Sequence, residues 1–272
     1  MSVRKPLIAC LAALSLAAAV PALAQTGASP TLQKLPMAKK EKLAKAGDDE
    51  AQYVVGLAYE FGADGMKKST LQAAQWYRKA AQQGNLDAQY RLARIVQVGG
   101  DGVKQNYESA AKLFEAAAKQ GHVESQYWTA YLYETGQGVK ADLQTAITWY
   151  RKSADAGYAA SQNNLGLLYL NGKGVQKDLK QAFELFQKSA GQDYAFALNN
   201  LGGMYEMGWG TATDKAKAIE YYTKAATLGN TLAVDNLKRL GAAVPTASSA
   251  KEATGTTTAA QPASAQPASS AQ

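Results

Sequence analysis

Small and apolar residues return in a fixed order along the middle of this chain, with polar residues between them. The clearest landmark is a small residue that opens each cycle: Ala51, Ala88, Ser125, Ser161 and Ala197, with Ala233 opening a sixth. Successive landmarks lie 37, 37, 36, 36 and 36 residues apart. The extra residue always falls in one spot. Gly62-Ala-Asp-Gly65 and Gly99-Gly-Asp-Gly102 carry two residues between glycines, whereas Gly136-Gln-Gly138, Gly172-Lys-Gly174 and Gly208-Trp-Gly210 carry one. An insertion confined to a glycine-bracketed spot is what a surface turn tolerates. A fixed period of this length marks stacked units, because one unit of that size cannot bury its apolar face alone.

Each cycle resolves into two helices. The first, helix A, spaces apolar residues at helical intervals: Tyr53, Val55, Gly56 and Tyr59 in unit one, and Leu165, Gly166 and Tyr169 in unit four. It is predicted to stop at the glycine pair, since glycine readily takes the left-handed conformation that ends a helix. The second, helix B, is predicted to begin at Ser69, Asn106, Asp142, Asp178 and Asp214, all with side-chain oxygens able to cap a first turn. Four residues on come Ala73, Ala110, Ala146, Ala182 and Ala218. A bulky pair follows: Trp76-Tyr77, Leu113-Phe114, Trp149-Tyr150, Leu185-Phe186 and Tyr221-Tyr222. Helix B closes at Gly84, Gly121, Gly157 and Gly229; unit four has Asp193 there, which also tolerates left-handed geometry.

The order Ala-Gln-Tyr-x-x-Gly-x-x-Tyr-x-x-Gly, then Gly-Val, an acidic cap, Trp-Tyr-Arg-Lys-Ala-Ala and Gly resembles the Sel1-like repeat. Unit three carries it as Gly136-Gln-Gly-Val139, Asp142, Ala146 and Trp149-Tyr-Arg-Lys-Ser-Ala154. The resemblance runs from about Ala38 to Gly241. It implies an all-α, right-handed α-solenoid of about five αα-hairpin repeats, related to tetratricopeptide arrays, with a half-repeat helix at each end. It also implies a scaffold that binds other proteins, and it specifies no reaction. The expected units are 48–84, 85–121, 122–157, 158–193 and 194–229, within an array spanning 37–241. Terminal helices are expected at 37–46 and 231–240. In the first of these, Lys39-Lys40 replace the Trp-Tyr pair, as suits the polar outer side of an exposed solenoid end.

The flanks differ in composition. Residues 1–24 join a basic start (Arg4, Lys5), an apolar run from Leu7 to Val20 and an Ala22-Leu-Ala24 end, the pattern of a secretory signal cleaved after Ala24. The run of 14 residues is short of the ~20 that span a bilayer as a helix. Cys10 sits too early in the run for an ordinary lipobox. A periplasmic or secreted bacterial protein is expected, with no stable membrane span after cleavage. Residues 25–36 are expected as a linker. The stretch 242–272, almost wholly Ala, Ser, Thr, Pro and Gln, is expected as a disordered tail.

Charge and composition then narrow the function classes. The chain has 272 residues, 47% apolar, with a net charge of +7 that falls to +5 when Arg4 and Lys5 are removed. That excess is modest for a nucleic-acid binder, and export argues further against one. One cysteine and one histidine, His122, supply neither a disulfide nor a zinc cage. No metal, cofactor or catalytic set is implied. Ser109-Ala-Ala-Lys112 matches the Ser-x-x-Lys of penicillin-recognising enzymes and Ser161-Gln-Asn163 resembles their second motif. The third motif is missing, and Ser-x-x-Lys recurs at Ser2–Lys5 and Ser248–Lys251, so the pattern is cheap. His122 reads as a solvated turn residue. Lys79, Lys152, Lys188 and Lys224 recur at one place in helix B, a solvated convex face interrupted by Ala116.

In tetratricopeptide-like arrays helix A lines the concave side. A register that buries Val55, Gly56 and Tyr59 turns Tyr53 and Leu57 toward that side. The equivalents are Tyr90 and Arg94, Tyr127 and Tyr131, Asn163 and Leu167, and Asn199. These nine residues are the expected binding groove, aromatic in its first half and Asn-rich in its second. The function expected is a non-enzymatic, monomeric periplasmic scaffold or regulator that binds a protein or peptide there. The alternative is a cell-wall hydrolase or penicillin-binding activity of the cysteine-rich Sel1-like type.

Overall fold

A computed structural model describes residues 29–245; the expected signal segment and nearly all of the expected tail lie outside them. Thirteen α-helices follow one another among the described residues, with one isolated β-bridge between Gly100 and Val103. A short α1 (Pro30–Gln33) and α2 (Met37–Ala46) precede five A/B pairs. The pairs are α3 (Asp49–Phe61) with α4 (Thr70–Gln82), α5 (Leu86–Val98) with α6 (Tyr107–Lys119), and α7 (Val123–Thr135) with α8 (Leu143–Asp155). Then come α9 (Ala159–Asn171) with α10 (Leu179–Ala190), and α11 (Ala195–Met207) with α12 (Lys215–Thr227). A last helix, α13 (Thr231–Arg239), is an A helix with no B helix after it. From α2 onward each helix packs on the next, so the fold is an α-solenoid.

The caps explain why each B helix starts where it does. Ser69, Asn106, Asp142, Asp178 and Asp214 each accept a hydrogen bond from a first-turn backbone N–H, as expected. The A helices end on Gly62, Gly99, Gly136, Gly172 and Gly208, all at positive φ. Asp193 does take the left-handed conformation, with φ 55°. At Gly138 and Gly210 φ is +74° and +69°, and an added Cβ would collide with the carbonyl of Tyr107 or Leu179 in the preceding unit. Those two glycines let one unit's turn close on its neighbour's B helix.

Inside each pair one ring fills the gap between helices. Tyr77, Phe114, Tyr150, Phe186 and Tyr222 are buried. A Cβ at Gly56, Gly166 or Gly202 would lie 2.6, 2.8 or 2.8 Å from the ring of Tyr77, Phe186 or Tyr222. Alternate units differ in what the ring carries. In units one, three and five it is a tyrosine whose hydroxyl donates to a glutamate on its own A helix: Tyr77 to Glu60 (2.5 Å), Tyr150 to Glu134 (2.9 Å), Tyr222 to Glu206 (2.9 Å). A cation from the following unit meets each glutamate: Arg91 at 3.5 Å, Lys173 at 2.9 Å, Arg239 at 2.6 Å. Units two and four have phenylalanine for the ring and Gln97 or Leu170 in place of the glutamate.

The ends are sealed by contacts the sequence pattern did not reveal. Lys40, expected on a polar outer side, is 5% exposed and its ammonium lies 3.5 Å from Asp64. It occupies the place of the buried ring, so its charge turns inward to an acidic partner rather than to water. Leu32, inside the expected linker, is buried, and the Ser29 amide donates to Glu50 at 2.6 Å. At the other end Lys238 stands where Gly56, Gly166 and Gly202 stand in complete units. It is exposed, and Ala242 and Val244 pack against the core beyond it.

Candidate functional site

The A helices lie side by side, and their contacts show which residues are structural and which stay open. Four of the nine expected groove residues are core. Tyr53, Leu57, Tyr127 and Asn163 are 5%, 1%, 1% and 0% exposed. Each A helix packs on its own B helix and on the preceding B helix, and side chains of successive A helices also meet, as Asn163 does Asn200 and Asn199 does Asn236. It is therefore covered nearly all round, and α3 is buried continuously from Ala51 to Ala58. A register deduced from one buried face cannot see the other covered faces. Tyr127 lies 5.4 Å from Tyr158, 5.5 Å from Trp128 and 5.9 Å from Tyr150, ring centre to ring centre. Burial pushes its hydroxyl well above the usual tyrosine range, as it does for Tyr77 and Tyr150. Tyr53 is pushed up to about 12 for the same reason.

The other five, Tyr90, Arg94, Tyr131, Leu167 and Asn199, are half-buried. Asn199 is engaged internally: its Oδ1 accepts from Asn236 at 3.0 Å, and Asn163 accepts likewise from Asn200 at 2.8 Å. The Asn-rich half is therefore a ladder joining successive A helices. Tyr90, Arg94, Tyr131 and Leu167 form the open remainder in units two to four. Arg94 lies over the Trp128 ring, its guanidinium carbon 4.2 Å from the ring centre, and Nη1 donates to the Tyr90 hydroxyl at 3.4 Å. Tyr131 meets the same tryptophan edge-on at 5.6 Å. Trp128 was missed by the sequence reading; its repeat equivalents Val54, Arg91, Asn164 and Asn200 share no side-chain type with it. One turn beyond Arg94 and two turns beyond Asn199, Val98 and Met207 are 50% and 56% exposed.

His122 is no solvated turn residue. Its Nδ1 accepts the Ser125 amide at 3.2 Å, capping α7, and Nε2 lies 3.3 Å from an Asp87 oxygen. The hydrogen bond from His122 holds the Asp87 carboxyl below its usual range. Ser109 and Lys112 sit on the exposed surface of α6, where the lysine binds Glu108 at 2.7 Å. Ser161 is buried and donates to Ser153 at 2.7 Å. Lys79, Lys152 and Lys224 fold back over Trp76, Trp149 and Tyr221 of their own helices at 4.2, 4.4 and 5.5 Å.

Clefts lie elsewhere. One of about 370 Å³ opens among Leu71, Arg78, Val103 and Ser109; another of about 440 Å³ lies by Arg151, Tyr169 and Asp178. Neither gathers a nucleophile with a base within hydrogen-bonding reach. Among the described residues no three His, Cys, Asp or Glu side chains converge as metal ligands, and no helix is long and apolar enough to cross a membrane.

The sequence matches the Sel1 repeat family at residues 49–85, 86–122, 123–158, 159–194 and 195–230. The structure is similar to that of a Sel1 repeat protein from Oxalobacter formigenes, with 37% identity, 75% of this chain and 58% of that one covered, and a TM-score of 0.68. It is similar also to a protective antigen present in uropathogenic Escherichia coli strains that displays an SLR fold, with 30% identity, coverages of 80% and 47%, and a TM-score of 0.69. The matches thus span about half of each relative's length. An immunity protein from Pseudomonas aeruginosa, 21% identical over 75% of this chain and 78% of its own, shares the fold with a TM-score of 0.50. No curated protein matches the chain.

Proposed function

The chain belongs to the Sel1 repeat family, whose members are generally protein-interaction scaffolds, and on that premise we propose that it is a non-enzymatic scaffold or regulator holding a protein or peptide on its A-helix face. One observation carries this reading: Tyr90, Arg94, Tyr131 and Leu167 remain half-open, the first three around Trp128 on adjacent A helices, while the other five expected groove residues are used in packing. Aromatic and arginine side chains of this kind dominate binding energy at interfaces. The basic start and Ala-Leu-Ala end of residues 1–24 support export to the periplasm, with a mature chain starting at Gln25.

The test is capture of partners from the periplasmic fraction by the mature protein and by a Y90A/Y131A variant. The variant is expected to stay folded by circular dichroism and to lose the specific partners. A folded variant that captures the same proteins would move the site off this face. Amino-terminal sequencing of the exported protein is expected to begin at Gln25, and retention of residues 1–24 would overturn cleavage.

A further inference from the structure

Resting on the reading of the A-helix face as the binding surface, we propose that Arg94 is a carboxylate-binding site whose occupant is an Asp or Glu side chain of an extended peptide segment. The repeat supplies the comparison. Arg239 stands at the place of Arg94 in the last A helix and holds Glu206 of the preceding unit with two bonds, 2.6 and 2.8 Å. The corresponding glutamate before Arg94 is Glu60, and it is already occupied. It accepts from Tyr77 at 2.5 Å and pairs with Arg91 at 3.5 Å. Arg94 is left with no carboxylate, only the Tyr90 hydroxyl at 3.4 Å and the Trp128 ring.

The local balance of donors and acceptors points the same way. Arg94 Nε and Trp128 Nε1 are buried donors with no acceptor, and Trp128 is only 9% exposed. Buried polar groups in native structures nearly always find a partner, so two adjacent donors lacking one mark a place short of an acceptor. Arginine's planar fork suits a carboxylate, and its stacking on an aromatic face keeps the fork oriented. Glu124 and Asp87, the acids nearby, face His122 instead, at 3.7 and 3.3 Å. Arg94 lies in the second of five units, so a segment running along the array passes it in mid-chain. That favours a side-chain carboxylate over a chain terminus.

The experiment is a selection of random dodecapeptides with blocked C-termini on the full-length protein, followed by titration of the enriched peptides. Asp or Glu at one dominant position is expected. Replacing that residue by Asn or Gln, or making R94Q in the protein, should weaken binding about tenfold or more, while R239Q should not. Enriched peptides without an acidic residue, weakened by Y90A/Y131A but not by R94Q, would overturn the carboxylate site and leave the binding face standing. Peptides insensitive to all these changes, or no enrichment from this library and from a matching one with free C-termini, would sink both readings. If only peptides with a free C-terminus bind, the occupant is a terminus and the side-chain assignment is wrong. Should R94Q melt early, the Glu→Gln change in the peptide still separates these outcomes, because it leaves the protein unaltered.

Discussion

Replacing Tyr127 by alanine should cost the fold more than replacing Tyr131, although both were expected to line one groove. Tyr127 is 1% exposed and packs among Tyr158, Trp128 and Tyr150. A buried tyrosine withdraws about 150–250 Å² from water. At about 25 cal/mol per Å² that is roughly 4–6 kcal/mol, an upper figure because the unfolded chain already hides part of it. Truncations of buried aromatics cost about 3–5 kcal/mol, the void adding to lost transfer energy. Tyr131 is only partly buried, so the same arithmetic gives it a smaller loss. For an array of this size each kcal/mol lowers Tm by about 2–4 °C, so Y127A should melt about 6–20 °C early. Far-UV circular dichroism melts of Y127A, Y127F and Y131A read this directly. A defect in the middle unit can also split the transition, since repeats transmit it only to neighbours. A Y127A melt within about 2 °C of the parent, or a Y131A loss equal to it, would refute the burial argument.

Other outcomes follow from the same contacts. G138A and G210A each place a Cβ against a neighbouring carbonyl at positive φ and should each cost about 1–3 kcal/mol in urea unfolding; a neutral result would mean the turn shifts freely. H122A should cost about 1 kcal/mol by uncapping α7, and H122N should recover much of it; equal losses would mean the cap is idle. Tyrosine absorbance near 295 nm should leave Tyr77, Tyr127 and Tyr150 protonated until the array unfolds. Their raised folded-state values mean that stability is full below the free-tyrosine value and is lost as pH rises past it. Smooth titration of all tyrosines in the folded state would contradict this. Glu206, held low by the Arg239 hydrogen bonds, contributes above the ordinary glutamate value and loses that contribution on acidification. An E206Q variant should therefore show a flatter stability profile below about pH 4.5 than the parent.

Local chemistry was legible in the sequence because it recurs at fixed spacing. The five B-helix caps, the glycine stops and the left-handed Asp193 all rest on a residue's own backbone preference. The groove was less legible because exposure is a property of neighbours. Tyr53 and Tyr127 have the composition of a binding surface, and only the neighbouring helices show them to be covered. His122 and Lys40 failed for a related reason: each differs from the residues at its place in the other units, and its partner, Asp87 or Asp64, lies 35 or 24 positions away in the sequence. The tyrosine–glutamate alternation was present in the letters, but only the 2.5–2.9 Å contacts give it meaning.

That alternation implies a rule for lengthening or shortening the molecule. The glutamates tie unit one to two, three to four and five to the last helix, whereas the seam between two and three uses stacked rings and the Asp87–His122 contact and the seam between four and five an asparagine pair. The natural cassette is thus a doublet. Excising residues 123–194 removes a whole doublet and leaves each remaining glutamate with its tyrosine and its cation. Excising residues 123–158 alone strands Lys173 without Glu134 and sets two phenylalanine units back to back. Spliced arrays should therefore express and melt cooperatively when units are cut or added in twos, and fray at the new seam when the count is odd.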